Sequence, residues 1–226
     1  MMSNERTDDL GENLRRQGFK TLDELAAEWT GEPWPEADIS SELLTSNDAA
    51  GLGEIIEIAD DEAPIQEYLT KHRALLSVLG SGGHGKWVFP KLKLGEERVT
   101  DFAVADLYSS GYQWHLVELE SPRARVLTQV GGEPSKEYRH AKQQIDDWRI
   151  WLRDNVAYIR QKYEGLDDTF AGVIIIGRRQ EIPTHETLRK RYRELSSDHL
   201  LVMSYDRFAE WVADEADRIE RARRGG

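Results

Sequence analysis

Apolar residues in the first half of the chain change from helical spacing to strand-like runs near residue 80. Asp60 or Asp61 can cap a helix with Pro64 in its first turn. The apolar positions that follow have helical spacing: Ile65, Tyr68, Leu69, Leu75, Leu76 and Leu79. Three strand-like runs come next, at 87–94, 99–108 and 112–120, with short turns between them. Consecutive strands joined by short turns predict an antiparallel meander.

The second half of the chain alternates helical and strand patterns. Residues 136–163 have a long amphipathic pattern, and 171–176 and 199–204 are short apolar runs. Charged or amphipathic helices are predicted at 184–195 and 205–221. The predicted fold class is therefore α/β, a mixed central β-sheet flanked by helices in the order helix, three strands, helix, strand, helix, strand, helix.

The first 58 residues differ from the rest in pattern and in charge. Short amphipathic pieces alternate there with glycine and proline, which predicts an accessory segment with small helices. Residues 1–62 carry 17 Asp and Glu against 4 Lys and Arg, whereas residues 63–226 carry 25 against 26. The net charge of −12 therefore comes from residues 1–62. Residues 63–226 are nearly neutral, and their charge permits contact with a polyanion. An acidic segment of this kind is expected to compete with such a polyanion for the basic surface.

Composition excludes several classes of function. The chain has no cysteine, which rules out disulfides, zinc–thiolate sites and thiol catalysis. The six histidines show no close pair with ligand spacing, so a zinc hydrolase is not favoured, and no G-x-S-x-G motif supports serine catalysis. The apolar runs are too short to span a bilayer and the N-terminus lacks an apolar signal core. We therefore expect a cytoplasmic protein.

A cluster of carboxylates ends the third strand-like run. In the run 112–117, apolar residues occur at both odd-numbered and even-numbered positions and so would lie on both faces of a strand. This predicts a central strand covered on both faces. Glu118 and Glu120 follow two residues apart and point to one face. The hairpin turn brings Asp101 back to nearly the same level. Buried carboxylates that repel one another require a cation or a proton, so the pattern predicts a divalent metal site.

A glycine-rich loop supports a different hypothesis. Residues 80–86 match G-x-x-x-x-G-K, the pattern of a phosphate-binding loop, but Trp87 replaces the Ser or Thr that would reach magnesium. A helix is predicted before the loop and a strand after it, the reverse of the order that such a site needs. A helix-to-strand connection is the favoured interpretation. A nucleotide site would require that Lys86→Ala removes nucleotide binding.

The carboxylate cluster carries a family resemblance. Asp101-Phe102 on one strand, Glu118-x-Glu120 on the next and Gln144 in the following helix resemble the PD-(D/E)XK nuclease superfamily. Within it the chain resembles the C-terminal nuclease domain of the Shedu antiphage-defence proteins. Three further segments match that family: Glu62-Ala-Pro-Ile65-Gln66, Ile174-Ile-Ile-Gly177-Arg178 and Ser204-Tyr205-Asp206. The resemblance covers about 60–212 and implies a restriction-endonuclease-like core in a nuclease-like domain at 59–226, after the accessory segment at 1–58.

The resemblance also implies a site and an activity. Asp101 and Glu118 would ligate Mg²⁺ or Mn²⁺, with the backbone carbonyl of Leu119 as a further ligand. Glu62 would orient a water molecule, and Gln144 would support the site or contact phosphate. The implied activity is a metal-dependent DNA endonuclease in antiphage defence, acting as a homo-oligomer.

One position departs from the superfamily. Glu120 stands where the superfamily usually has lysine, and a glutamate cannot supply positive charge to the reaction. Glu120 is then expected to act as a general base or to bind metal. Glu67 is an alternative to Glu62. The nearest candidates in sequence for the missing positive charge are Lys91, Lys93, Arg123 and Arg125, although none of them is two residues from Glu118. The second hypothesis is a catalytically weakened nuclease-fold module that binds DNA or assembles with partners.

Overall fold

The computed structural model describes residues 34–81, 84–182 and 184–224. The chain divides into two compact units, Met1–Glu36 and Ala37–Gly226. All the elements described below lie in the second unit. The accessory helices predicted before residue 34 lie outside the described residues. The boundary predicted between residues 58 and 59 stays a prediction.

A five-stranded mixed sheet forms the centre of the second unit. Its strands are β1 (Lys86–Pro90), β4 (Phe102–Tyr108), β5 (Gly111–Leu119), β6 (Ala171–Ile175) and β7 (Leu200–Met203), and a two-stranded ribbon consists of β2 (Lys93–Leu94) and β3 (Arg98–Val99). The order in the large sheet is β1-β4-β5-β6-β7. The first three of these strands are antiparallel and the last three are parallel. The predicted meander and mixed α/β sheet are confirmed.

Helices cover both faces of this sheet. They are α1 (Ser46–Ile58), α2 (Ala63–Lys71), α3 (Lys136–Asp154), α4 (Val156–Lys162), α5 (Glu186–Glu194) and α6 (Tyr205–Arg224). Apolar residues of α1, α2 and α6 form one core with alternate residues of β4, β5 and β6, including Val117 and Val173. On the other face α3 packs against β5 and β6. Because Leu52 and Ile56 of α1 are buried in the core formed with α2 and α6, α1 is an integral part of the fold.

Strand β5 is central, as its two-sided apolar pattern predicts. Phe102 pairs with Val117 across the antiparallel β4–β5 hairpin. Parallel pairing with β6 continues as far as Leu119. The carboxyl end of β5 therefore lies beside the amino end of β4, where Asp101 precedes the strand.

Three predicted elements are interrupted in the structure. The long helix predicted at 136–163 breaks at Asn155, whose side chain donates to the Trp151 carbonyl at 2.8 Å and competes with the helical pattern. The strand predicted at 87–94 stops before Lys91, which has a left-handed backbone with φ of 53°. The helix predicted to reach residue 79 ends at Lys71, and a 3₁₀ helix follows at Arg73–Leu79. These breaks depend on local side-chain and turn contacts that apolar spacing does not encode.

Candidate metal centre

The backbone of the β4–β5 pair holds Asp101 against the end of β5. The Asp101 N–H donates to the Val117 carbonyl at 3.2 Å. In return, the Leu119 N–H donates to Asp101 Oδ2 at 2.7 Å. The side chain of Asp101 thus lies beside the Glu118-Leu119-Glu120 segment, as the hairpin geometry predicts.

Glu118 is the most perturbed acid of the cluster. Its residue is only 7% exposed, and the Gln144 side-chain amide of α3 donates to Oε1. Burial raises the pKa of the Glu118 carboxyl to about 9, and the negative charges of Asp101 and Glu120 add to the increase. The Gln144 hydrogen bond and the charge of Lys91 oppose it only in part. A cation bound at Glu118 would relieve this imbalance.

Both oxygens of Asp101 already accept hydrogen bonds. Besides the Leu119 N–H on Oδ2, the Oδ1 atom accepts from Gln66 Nε2 of α2 and from Lys91 Nζ, each at 2.7 Å. A positive charge and an amide therefore approach Asp101 from outside β5. A metal ion at this carboxylate would share it with these donors or displace one of them.

Glu120 extends the site towards α3 and α6. Its side-chain Oε1 lies 3.1 Å from His140 Nδ1. Burial raises the pKa of the Glu120 carboxyl, and the charges of Glu62 and Glu137 add to this effect while His140 opposes it. The carbonyl of the same residue accepts from the Tyr205 hydroxyl at 2.8 Å. The backbone after β5 is therefore held in place from α6.

The buried Tyr205 hydroxyl indicates how close the acids are to one another. Burial raises the pKa of Tyr205 well above its usual range, and the charges of four acids contribute: Glu62, Asp101, Glu120 and Glu118. Glu62, at the start of α2, is therefore electrostatically coupled to the cluster. Glu67 instead pairs with Lys71 at 2.7 Å on an exposed part of α2. The charge of Glu62 acts on Glu120 and Tyr205, whereas Glu67 makes its ion pair with Lys71.

The donors present suit a hard divalent cation. Asp101 and Glu118 offer carboxylate oxygens, the ligands that Mg²⁺ and Mn²⁺ prefer, and the charge of Asp101 raises the pKa of Glu118 despite the ion pair between Asp101 and Lys91. In the part of the chain that the structure describes, no three His, Asp or Glu side chains form a ready metal-ligand set. A metal held by Asp101 and Glu118 would therefore need a backbone carbonyl, such as that of Leu119, and solvent to complete its ligands.

Three residues that contact the acids were not assigned these roles from the sequence. Gln66 and Lys91 bind Asp101, and His140 binds Glu120. A signal exists for two of them: Gln66 is four residues after Glu62, and His140 is four residues before Gln144, so each shares a helix face with a predicted site residue. From the sequence Lys91 is only one of four nearby basic candidates, because the turn after β1 decides its position.

The phosphate-loop pattern has a structural explanation. Lys86 Nζ donates to the carbonyls of Ser77 and Gly80 at 2.7 and 2.8 Å. It also lies 3.3 Å from Asp106 Oδ1. A 3₁₀ helix precedes the loop and β1 follows it, as predicted. The ammonium group is thus directed into the protein, which does not support a nucleotide site.

The basic stretch after β6 also makes intramolecular pairs. Arg178 binds Asp206 and Glu57, and Arg179 binds Glu210. Further along, Arg191 donates to the Gly131 carbonyl and Lys190 lies near Glu194, so much of this charge is locally balanced.

In the described ranges, no helix combines the length and apolar character needed to cross a bilayer.

Two comparisons with known proteins give different outcomes. A search of curated proteins found no match to this sequence. The family model described as "Shedu protein SduA, C-terminal" matches residues 59–209. This match spans more than half of the chain and includes Glu62, Asp101, Glu118, Glu120 and Gln144. The chain therefore belongs to the Shedu family of antiphage-defence proteins, through its SduA C-terminal region.

Proposed function

We propose that this protein is a metal-dependent DNA endonuclease of the PD-(D/E)XK superfamily that acts in antiphage defence. The observation that carries the proposal is the pair Asp101 and Glu118, two acids held together at adjacent strand ends with Glu118 buried and its pKa raised. Perturbed acids in such a setting are typical of functional sites. Membership of the Shedu family supports the defence role.

Each residue of the site has a separate role in the proposed reaction. Asp101, Glu118 and the Leu119 carbonyl would hold Mg²⁺ or Mn²⁺, which when bound polarises the phosphate and activates water. Gln144 orients Glu118 and Gln66 orients Asp101 through their amide hydrogen bonds.

Proton removal is assigned to the acids that are not metal ligands. Glu120 or Glu62 would accept the proton of the attacking water. The water oxygen forms a bond to phosphorus, one P–O ester bond breaks, and the leaving oxygen takes a proton from solvent. The products are a phosphomonoester and a hydroxyl group.

Cleavage of supercoiled plasmid in Mg²⁺ or Mn²⁺ tests the proposal. Glu118→Gln should abolish nicking while DNA binding, measured in Ca²⁺, persists, because the substitution removes a ligand charge without removing the DNA surface. Glu194→Gln, which removes an exposed acid paired with Lys190 on α5, is the matched control and should cleave normally. Unchanged nicking by purified Glu118→Gln would contradict the assignment.

A second candidate function is a DNA-binding or assembly module without turnover. Two observations favour it: Glu120 replaces the usual lysine, and both oxygens of Asp101 already accept hydrogen bonds from the protein. Such a protein would bind DNA but leave the plasmid intact with every divalent metal. The plasmid assay and the binding assay together distinguish the two functions.

We also propose that the protein forms a homo-oligomer, as expected for a Shedu protein, and that the acidic N-terminal residues compete with DNA. Removal of residues 1–36 tests the second point, since α1 belongs to the core and must be kept. The shortened protein should bind DNA more tightly at low salt, and the difference should shrink as salt increases. Sedimentation analysis of the full chain tests the oligomer.

A further inference from the structure

The proposed nuclease function leaves one chemical requirement without an assigned residue. Phosphodiester hydrolysis develops negative charge on the non-bridging oxygens, and nearby positive groups stabilise that charge. Glu120 occupies the position where such a group is expected and adds negative charge instead. The inference that follows rests on the proposed function, because it concerns the residue that supplies this charge.

Lys91 is held beside the acids by its backbone as well as its side chain. Its Nζ atom lies 2.7 Å from Asp101 Oδ1. Its N–H donates to the carbonyl of Asp101 at 2.9 Å, and the Thr100 N–H donates to the Leu92 carbonyl at 2.9 Å. The Cα of Lys91 would therefore stay beside Asp101 even if the side chain turned away.

The backbone conformation of Lys91 is unusual for its residue type. Its φ of 53° lies in the left-handed region, which glycine adopts without penalty and other residues adopt at a cost. The turn that ends β1 requires this conformation, so a glycine would be the least strained residue here. A strained lysine whose ammonium reaches a site carboxylate is better explained by a role of the side chain in the site.

The other basic residues near in sequence are directed elsewhere. Arg123 lies near Asp60 at 3.5 Å, and Arg125 pairs with Glu181 at 2.7 Å. Lys93 lies on the short strand β2 with its side chain exposed. Of these four candidates, within the described residues, Lys91 is the one that contacts a carboxylate of the proposed centre.

We propose that Lys91 supplies the positive charge that Glu120 cannot, by moving from Asp101 to a non-bridging oxygen of the scissile phosphate when metal and DNA bind. The side chain is 55% exposed and ends in a compact ammonium group on a flexible stem, so this movement needs no change in the backbone. Lys91 gives no proton in this scheme. Water still contributes its oxygen to phosphorus, and its proton leaves through Glu120 or Glu62.

Variants at position 91 separate this role from a structural one. Lys91→Met removes the charge, Lys91→Gly also relieves the left-handed backbone, and Lys91→Arg keeps a positive charge. The matched control is Lys71→Met, because Lys71 is similarly exposed (65%) and also pairs with a carboxylate at 2.7 Å. Each protein is tested for single-turnover DNA cleavage, for Mn²⁺ binding by calorimetry and for thermal unfolding.

The expected result is a loss of rate without a loss of metal binding or stability. Lys91→Met and Lys91→Gly should cleave about 100-fold to 1,000-fold more slowly, the usual loss when one charge-stabilising donor is removed. Their Mn²⁺ affinity should equal or exceed that of the wild type, because a competing ammonium group has gone. Lys91→Gly should unfold at the wild-type temperature or above, Lys91→Arg should recover part of the rate, and Lys71→Met should cleave normally.

Two results would overturn the inference while leaving the nuclease assignment intact. The first is an active wild type with Lys91→Met within about threefold of its rate. The second is a parallel fall in rate and Mn²⁺ affinity, which would mean that Lys91 only positions Asp101. A wild type that binds Mn²⁺ and DNA but never cleaves overturns the nuclease assignment, and the role of Lys91 with it.

Discussion

The β4–β5 pair carries a buried acid region at each end, and the two are balanced differently. At one end Asp106 is fully buried, with Lys86 Nζ at 3.3 Å and His115 Nδ1 at 3.8 Å. At the other end Glu118 lies among further acids, and Lys91 is paired with Asp101. The first region has its cation built into the fold, whereas in the second, burial and the neighbouring acids raise the pKa of Glu118.

The difference follows from the position of each cation in the sheet. Lys86 is the residue directly opposite Asp106 in the β1–β4 register, so strand pairing places the Lys86 ammonium group beside Asp106. Lys91 lies beyond the end of β1, in a turn, and its side chain is more than half exposed. We infer that the Asp106 region is structural and that the Glu118 region is available for a ligand.

The largest expected effect tests the balanced region. Lys86→Met should lower the free energy of unfolding by about 3–5 kcal/mol, because it leaves the buried Asp106 without its cation. Urea denaturation in metal-free buffer measures this change. The exposed pair variant Lys71→Met should cost less than about 1 kcal/mol, and Asp106→Asn should recover part of the loss in the Lys86→Met background. Equal costs for Lys86→Met and Lys71→Met would refute the structural assignment.

The region around Glu118 should make the free energy of unfolding depend on pH. The folded pKa of Glu118 is raised from 4.5 to about 9, so the unfolded chain loses the proton at lower pH than the folded protein does. The contribution of Glu118 to stability without metal should therefore be greatest below pH 4.5 and fall as pH rises towards 9, by up to about 1.4 kcal/mol per pH unit.

Glu118→Gln provides the comparison for this pH dependence. It should remove that part of the slope and be more stable than the wild type near pH 8. Denaturant titrations at several pH values measure both proteins. Identical slopes would show that Glu118 ionises normally in the folded state.

Divalent metal should stabilise the same region. Binding to the folded state alone contributes about 2 kcal/mol when Mn²⁺ is at roughly thirty times its Kd. The gain should disappear in Glu118→Gln and persist in Lys86→Met, since the two acid regions lie at opposite ends of the strand pair. Thermal unfolding with and without Mn²⁺ measures it. A gain that survives Glu118→Gln would place the metal elsewhere.

The smallest expected effect concerns the support of the region around Glu118. Tyr205→Phe removes the 2.8 Å hydrogen bond to the Glu120 carbonyl and should cost about 1 kcal/mol. Tyr138→Phe is the matched control, because its hydroxyl makes a longer bond, 3.4 Å, to the Leu195 carbonyl. Urea denaturation should show a larger loss for Tyr205→Phe. Equal losses would show that the Tyr205 hydrogen bond to the Glu120 carbonyl stabilises the fold no more than the longer Tyr138 bond does.

Much of the candidate site could be predicted because it depends on strand periodicity. The two-residue spacing of Glu118 and Glu120 and the hairpin return of Asp101 are properties of a pleated strand and a short turn. The break of the long helix at Asn155 could not be predicted from its apolar stripe, since local side-chain bonding decides it. The end of β1 at Pro90 could not be predicted either, because the left-handed backbone of Lys91 decides it.

The sequence by itself determined the order of the elements, the central position of β5 and the gathering of acids at its end. The tertiary structure decided which partners reach those acids: Gln66 and Lys91 at Asp101, Gln144 at Glu118 and His140 at Glu120. The physical reason is that side-chain alternation is set within a strand, whereas a contact between elements depends on register, turn conformation and helix placement. The charge balance of a buried site is therefore a property of the folded chain.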